Sequence, residues 1–168
     1  MKEIKVITYF QTISAKRVSV SNPKVKDICI EDIATGLANL CRFAGQLPLI
    51  YSVAAHSIEV SYWIENNGGT VKEALSGLLH DASEAYCADV PSPYKAKCKD
   101  YQRLETKLQK AIAKRFGLEY PFPKIVHQAD KAVLFGEKLM QFGLPKQMQA
   151  RNVKQLFLNR FKELGGKE

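Results

Sequence analysis

Residues 76–89, SGLLHDASEAYCAD, place the tightest constraint on what this chain can fold into. The apolar positions Leu75, Leu78 and Leu79 pass at once into His80, Asp81 and Glu84. Ionisable groups at the end of an apolar, helix-patterned segment are costly to bury unless something pairs with them. On a helix of about 3.6 residues per turn, Glu84 follows His80 by four and Asp81 by three, so the three side chains share one sector. The pattern predicts a core helix bearing an adjacent His-Asp pair, a nitrogen donor beside an oxygen donor, with a second carboxylate close by. A polar cluster on a helix surface would read the same way locally. The rest of the chain decides between them.

That rest is mostly helical in pattern. Ile4, Val6, Thr8 and Phe10, then Val18 and Val20, read as two short strands around a turn at Ser14-Ala15-Lys16, ended by Ser21-Asn22-Pro23. A lone hairpin is marginal in water, so it should lie on a helical body. Ile30 opens a helix through Ile33, Leu37, Leu40 and Cys41, closed by Gly45. After Pro48, the residues Val53, His56, Val60 and Trp63 recur at helical spacing. Thr70 with Glu73 forms a capping-box signature for the helix that leads to His80. Beyond Pro91 and Pro93 a long helix is expected over 95–116, with Gly117 as its cap. Two more follow, one through Ile125, Val126, Ala129, Ala132 and Val133, the other through Val153, Leu156, Phe157 and Phe161, with Gly143 and Pro145 between. The expectation is an all-α helical bundle with a small N-terminal β-hairpin. It forms a single domain: the hairpin appendage over 1–27, the core over 28–141 and a C-terminal helix over 142–168.

Bulk properties exclude several classes. At 168 residues the chain is long enough for one real core. No apolar run nears the ~20 residues of a membrane span, and MKEIKVITYF lacks a signal-peptide pattern, so a cytoplasmic location and no membrane partner are expected. Cys29, Cys41, Cys87 and Cys98 contain no CxxC spacing, which argues for reduced packing residues. The net charge of +8 favours anionic partners. The basic residues are dispersed and accompany no nucleic-acid-binding signature. Charge alone leaves both nucleic acid and small phosphorylated molecules open, with no signature for the first.

The histidines sharpen the chemistry. His56 sits on an apolar stripe, His80 follows on the next helical segment, and Asp130 lies among Val126, Ala129 and Val133. An unpaired carboxylate on an apolar face wants a cation. His56, His80, Asp81 and Asp130 together supply two imidazoles and two carboxylates. Such a mixed set suits one divalent ion, Mn, Fe, Co, Zn or Mg, with positions left for water and substrate.

With these residues in order, the chain resembles the HD-domain metal-dependent phosphohydrolases, and within them the small phage and prophage nucleotidases. The matching segments are IEDIATGLANLCRFAG, YSVAAHSIEVS, LLHDASEAYCADVPSPYK and a helical QAD, spanning roughly residues 28–135. The resemblance implies a helical HD fold and hydrolysis of (deoxy)nucleotides by 5′-deoxynucleotidase or triphosphohydrolase chemistry. His56, His80, Asp81 and Asp130 match the metal ligands. Arg42 matches the arginine that grips substrate phosphate. Glu84 matches the carboxylate that handles a proton, and Asp89 a second acid at the substrate or its water. Lys95 is the candidate for a distal phosphate, and Phe43 for the base or sugar.

Two departures stand out: Gln46 where relatives carry histidine, and Ala55 where they carry glutamine. They bear on base and sugar contacts and leave the reaction type alone. His127 matches no family ligand and reads as exposed or structural. Relatives of this kind assemble as dimers or rings, and the 95–116 helix is the candidate interface for a homo-oligomer. The alternative from another class is a nucleotide- or nucleic-acid-binding regulatory module with a structural metal. Hydrolysis of a cyclic or signalling nucleotide ranks below both.

Overall fold

Helix α2 is where the fold is decided. Its segment VAAHSIEVSYWIEN is buried along most of its length, the polar residues His56, Ser57 and Ser61 included. A helix buried on nearly every side must be central, and α2 packs against α1, α3, α7 and α8. The computed structural model describes residues 8–48, 50–140 and 152–167, with backbone alone at 138–140. Strands β1 (Tyr9–Gln11) and β2 (Arg17–Ser19) come first. Then follow α1 (Ile30–Asn39), α2 (Val53–Asn66), α3 (Val71–Leu78), α4 (Glu84–Cys87) and α5 (Ser92–Lys95). The series ends with α6 (Lys99–Arg115), α7 (Lys124–Met140) and α8 (Val153–Glu163). The protein is thus mainly helical with one small antiparallel hairpin, as its sequence pattern leads one to expect.

The hairpin pairs Tyr9 with Ser19, Phe10 with Val18 and Gln11 with Arg17. It lies on the helical body through a specific anchor. Asp32 on α1 accepts the Ser14 backbone N–H at 3.0 Å and the Ser14 hydroxyl at 2.7 Å. Val18 plugs into the main core. Ile4 and Val6 lie outside the described residues, as do Gly143 and Pro145.

Helix α3 starts where the capping box places it: Thr70 accepts the Glu73 N–H, and Glu73 reaches back to the Thr70 N–H. Close packing of α3 on α2 depends on Gly77, where a Cβ would stand 2.4 Å from Ile64 Cδ1. At the other end of the chain, the Arg160 guanidinium clamps α8 to α2 through Ser61 and Glu65 and covers the Tyr62 ring.

Three expectations need correction. The His-Asp pair does not lie within a helix: α3 ends at Leu78, and residues 79–83 form a tight turn before α4. The cause is a side chain from elsewhere in the sequence. Gln109, buried on α6, donates to the Leu79 carbonyl at 2.9 Å and accepts the Ser83 N–H at 3.0 Å. Two backbone groups that a continuous helix would bond internally are satisfied from outside, so the turn is free to tighten. The helix expected over 95–116 is broken after α5, because Cys98 has non-helical backbone (φ −105°, ψ 73°) and the Gln102 side-chain amide donates to the Lys95 carbonyl. Helix α1 stops at Asn39 rather than continuing through Cys41, and Gly45 closes a separate turn. Leu156 lies on the last helix as expected, exposed there, with Leu158 among the buried residues of α8.

Gln109 gives a direct test of this account. Gln109→Leu keeps the volume but orphans two buried backbone groups, each worth roughly 1–3 kcal/mol. Urea unfolding should show a loss of about 3 kcal/mol. The turn bearing His80 and Asp81 should also lose protection from amide exchange, with α2 protected as before.

Candidate metal centre

Helix α2 presents His56, fully buried, toward the turn that carries His80 and toward Asp130 on α7. The two Nε2 atoms are 3.3 Å apart. Asp130 Oδ1 lies 3.2 Å from His56 Nε2 and 3.8 Å from His80 Nε2. Asp81 Oδ2 approaches the same nitrogens at 3.7 and 3.2 Å. The other ring nitrogens are occupied: His80 Nδ1 meets the Gly77 carbonyl at 2.7 Å, and His56 Nδ1 meets a Glu137 oxygen at 2.6 Å. Each acceptor calls for the ring proton on Nδ1. That leaves the Nε2 lone pairs converging on one point, the arrangement in which imidazoles bind metals. His56, His80 and Asp130 form a group that could hold a metal ion.

Arg42 reaches this centre from a loop that folds back on itself. Cys41 bridges Ser52, and the Arg42 N–H donates to the Tyr51 carbonyl, which sets the loop against the start of α2. The following Phe43 and Ala44 both adopt left-handed backbone, with φ of 55° and 52°. For residues with a Cβ this costs about 1–2 kcal/mol each. The guanidinium bonds Glu137 through Nε and Nη2, both at 3.0 Å, while Nη1 stands 3.6 Å from Asp81. The Phe43 ring lies beneath it, its centroid 5.6 Å from Cζ.

On the other side, Glu84 is buried, with Oε1 at 3.4 Å from Lys95 Nζ and Oε2 without a partner. Lys95 pairs more closely with Glu105, at 2.7 Å. Asp89 follows Ala88, whose backbone (φ 70°, ψ 158°) is held by an N–H to the Glu84 carbonyl and by the Tyr101 hydroxyl on its own carbonyl. A cavity of about 260 Å³ opens from His80, Asp81 and Asp130 toward Lys95, Phe122 and His127. The lining of this cavity includes none of Arg42, Phe43 or Asp89. Of the expected site residues, His80, Asp81, Asp130 and Lys95 line this cavity, while Arg42 meets the cluster through Asp81. His127 is exposed at the cavity wall.

No family model matches the chain. Among curated proteins it is similar to the uncharacterized protein YfdR of Escherichia coli K12, 37% identical over 132 residues, 79% of this chain and 71% of that protein. The chain belongs to the YfdR family. An uncharacterized protein of Rhodobacter capsulatus is 39% identical over 125 residues, 71% of this chain and 64% of its own length.

In this YfdR-family chain one residue of the centre escapes the sequence pattern. Glu137 follows Asp130 by seven positions on α7, two helical turns, which continues the inward face of Val126, Ala129 and Val133. That spacing was the available signal. A glutamate near a helix end reads by default as surface.

The charges of the centre are strongly shifted. Burial disfavours charge on His80, but Asp81 and Asp130 outweigh it and hold its pKa well above the ordinary range. Burial likewise opposes charge on Asp81 and Asp130, and the histidines more than reverse this, so both stay ionised far below the usual carboxylate range. Glu84 goes the other way. Burial, then Asp81 and Asp89, push its carboxyl up to about 9 against the pull of Lys95. Burial also raises Asp89, with Arg42 and Lys95 opposing.

In the metal-free chain a proton on His80 thus stands where a cation would. The raised His80 pKa adds stability that is complete below its unfolded value and lost as pH rises through the folded one. The lowered Asp81 and Asp130 values add stability that is lost only in acid. A metal must displace the His80 proton, so binding near pH 7 should release about one proton and tighten about tenfold per pH unit until His80 is neutral. Calorimetry with Mn or Zn in two buffers of different ionisation enthalpy measures this. Buffer-independent heats between pH 6 and 7.5 would contradict it.

Proposed function

We propose that this protein is a metal-dependent phosphohydrolase of the HD-domain type that acts on (deoxy)nucleotides. One observation carries the reading: two Nε2 lone pairs, each fixed by an acceptor on the opposite ring nitrogen, converge with Asp81 and Asp130 beside a buried arginine. The donor set fits a divalent ion such as Mn, Co, Zn, Fe or Mg, since it mixes neutral imidazole with carboxylate and leaves coordination positions unfilled.

A divalent cation held there supplies hydroxide at neutral pH and Lewis acidity toward a phosphoryl oxygen. The chain's own residues contribute the remainder. Arg42 has Nε and Nη2 committed to Glu137, which leaves Nη1 directed to the cluster side as a donor for phosphate oxygens. Glu84, neutral at pH 7 through its raised pKa, has a proton to give to a leaving oxygen. Asp89, within electrostatic reach of both Arg42 and Lys95, orients water or substrate. The cavity, with the Phe122 ring and the His127 imidazole on its wall, receives the part of the substrate beyond the phosphate. Lys95 is tied to Glu84 and Glu105, so little of its charge is left for further phosphates. This favours a nucleoside monophosphate, cleaved to nucleoside and phosphate, over a triphosphate.

Metal-stripped protein reloaded with each ion and given deoxynucleoside mono-, di- and triphosphates decides the matter by chromatography of the products. Nucleoside plus phosphate from monophosphates is expected. Nucleoside plus triphosphate would replace the nucleotidase by a triphosphohydrolase, and no turnover with any metal would leave a binding module. Asp81→Ala should lose both metal and turnover. Glu84→Gln should keep its metal and lose about 10²- to 10⁴-fold in kcat, the usual range for a missing proton donor.

A further inference from the structure

Glu137 is fully buried, yet its two oxygens serve two different side chains. Oε1 takes the His56 ring N–H at 2.6 Å, and Oε2 takes Nε and Nη2 of Arg42, each at 3.0 Å. Both neighbours donate, so the group between them must accept on both sides at once. A carboxylate does this. A carboxamide of the same shape cannot, because it has one accepting oxygen and one donating nitrogen.

We infer that Glu137 is a positioning residue shared by the two halves of the site, fixing the His56 tautomer for metal and aiming Arg42 at the same centre. The anion half of this inference rests on the phosphohydrolase reading, and the metal half on the cluster geometry alone. The helix makes the sharing rigid. Asp130 and Glu137 lie two turns apart on one face of α7, so a metal ligand, the brace of a second ligand and the brace of the arginine move as one body. Metal and phosphate sites are joined through one carboxylate rather than assembled separately.

The consequence for Glu137→Gln is specific. With its oxygen toward His56, the amide NH₂ meets the N–H groups of Arg42 and turns the guanidinium away. In the reverse orientation the NH₂ meets His56 Nδ1 and drives the ring proton onto Nε2, where it blocks the lone pair a metal needs. The substitution must damage one half of the site even where the fold survives.

The test uses the full chain and two probes, Co²⁺ titrated by its visible absorbance and inorganic phosphate titrated into the cobalt-loaded protein. Wild type should bind both. Glu137→Gln should lose 10- to 100-fold in affinity for at least one of them, the size seen when the partner of a ligating histidine is removed, with an unchanged far-UV spectrum. Wild-type affinity for both probes, with only a lower Tm, would make Glu137 structural and overturn the inference while the phosphohydrolase reading stands. Failure of wild type to bind either probe would sink that reading together with this inference.

A second measurement does not depend on the variant folding. In zinc-loaded wild type, the His56 Nδ1–H should give a downfield proton resonance slow to exchange, as a hydrogen bond to a buried carboxylate requires. A His56 ring protonated on Nε2 instead would overturn the inference.

Discussion

Two imidazole nitrogens 3.3 Å apart, with carboxylate oxygens at 3.2 to 3.8 Å from them, are an arrangement that protein alone does not favour. Lone pairs and negative charge are concentrated where burial weakens screening by water. A cation among them turns each repulsion into attraction, whether it is a proton on His80 or a metal ion. Much of the fold holds these atoms together. Helix α2 is buried so that His56 faces inward, Gly77 lets α3 close on α2 while its carbonyl orients His80, and Gln109 holds the turn between them.

The same region gathers the energetic liabilities of the chain. Phe43, Ala44 and Ala88 occupy backbone regions that favour glycine, each at a cost of order 1–3 kcal/mol. Glu84 is buried with an oxygen that lacks a partner. The Arg42–Glu137–His56 set exchanges hydration for hydrogen bonds, an exchange that is close to neutral when every group is satisfied and strongly unfavourable when one is removed. Away from this centre the strains are fewer and the interior is aliphatic: Ile28, Ile33, Leu37, Ile64, Leu78 and Ile112 are fully buried. Stabilisation thus lies in the apolar layers and strain gathers around one cluster, the distribution expected around a functional site.

How much of this was legible in the sequence follows from the range of each interaction. Helix starts set by local chemistry were readable, as at Thr70 with Glu73 or at the helix after Pro123. So were the residues that converge, because His56, His80 and Asp130 are polar interruptions of apolar stripes and such interruptions need partners. The break between Leu78 and Glu84 was not readable. The residue that permits it, Gln109, lies 26 positions from Ser83 and 30 from Leu79 and looks like any polar helix residue. The break at Cys98 hid for a similar reason, since the apolar periodicity of 101–112 continues smoothly back toward Lys95. Glu137 was missed although it lies on the stripe already identified. One glutamate among apolar residues near the end of a helix carries little weight until the arginine opposite it is known.

The placement of the cavity bears on what the centre can accept. The expected phosphate grip, Arg42, contacts Asp81 of the cluster but is not among the residues that line the cavity bounded by Lys95, Phe122 and His127. On the phosphohydrolase reading, Asp81, which touches both Arg42 and the cavity, is the link between a phosphoryl group at Arg42 and an organic portion in the cavity. The Phe43 ring lies under the Arg42 guanidinium and supports it there. A volume of about 260 Å³ lies just below the usual range for small-molecule pockets, which runs from roughly 300 Å³ upward. On the phosphohydrolase reading, that space would take a single nucleoside. On the same reading, the net charge of +8 would act at a distance on small anions, since Arg42 and Lys95 near the centre are already paired.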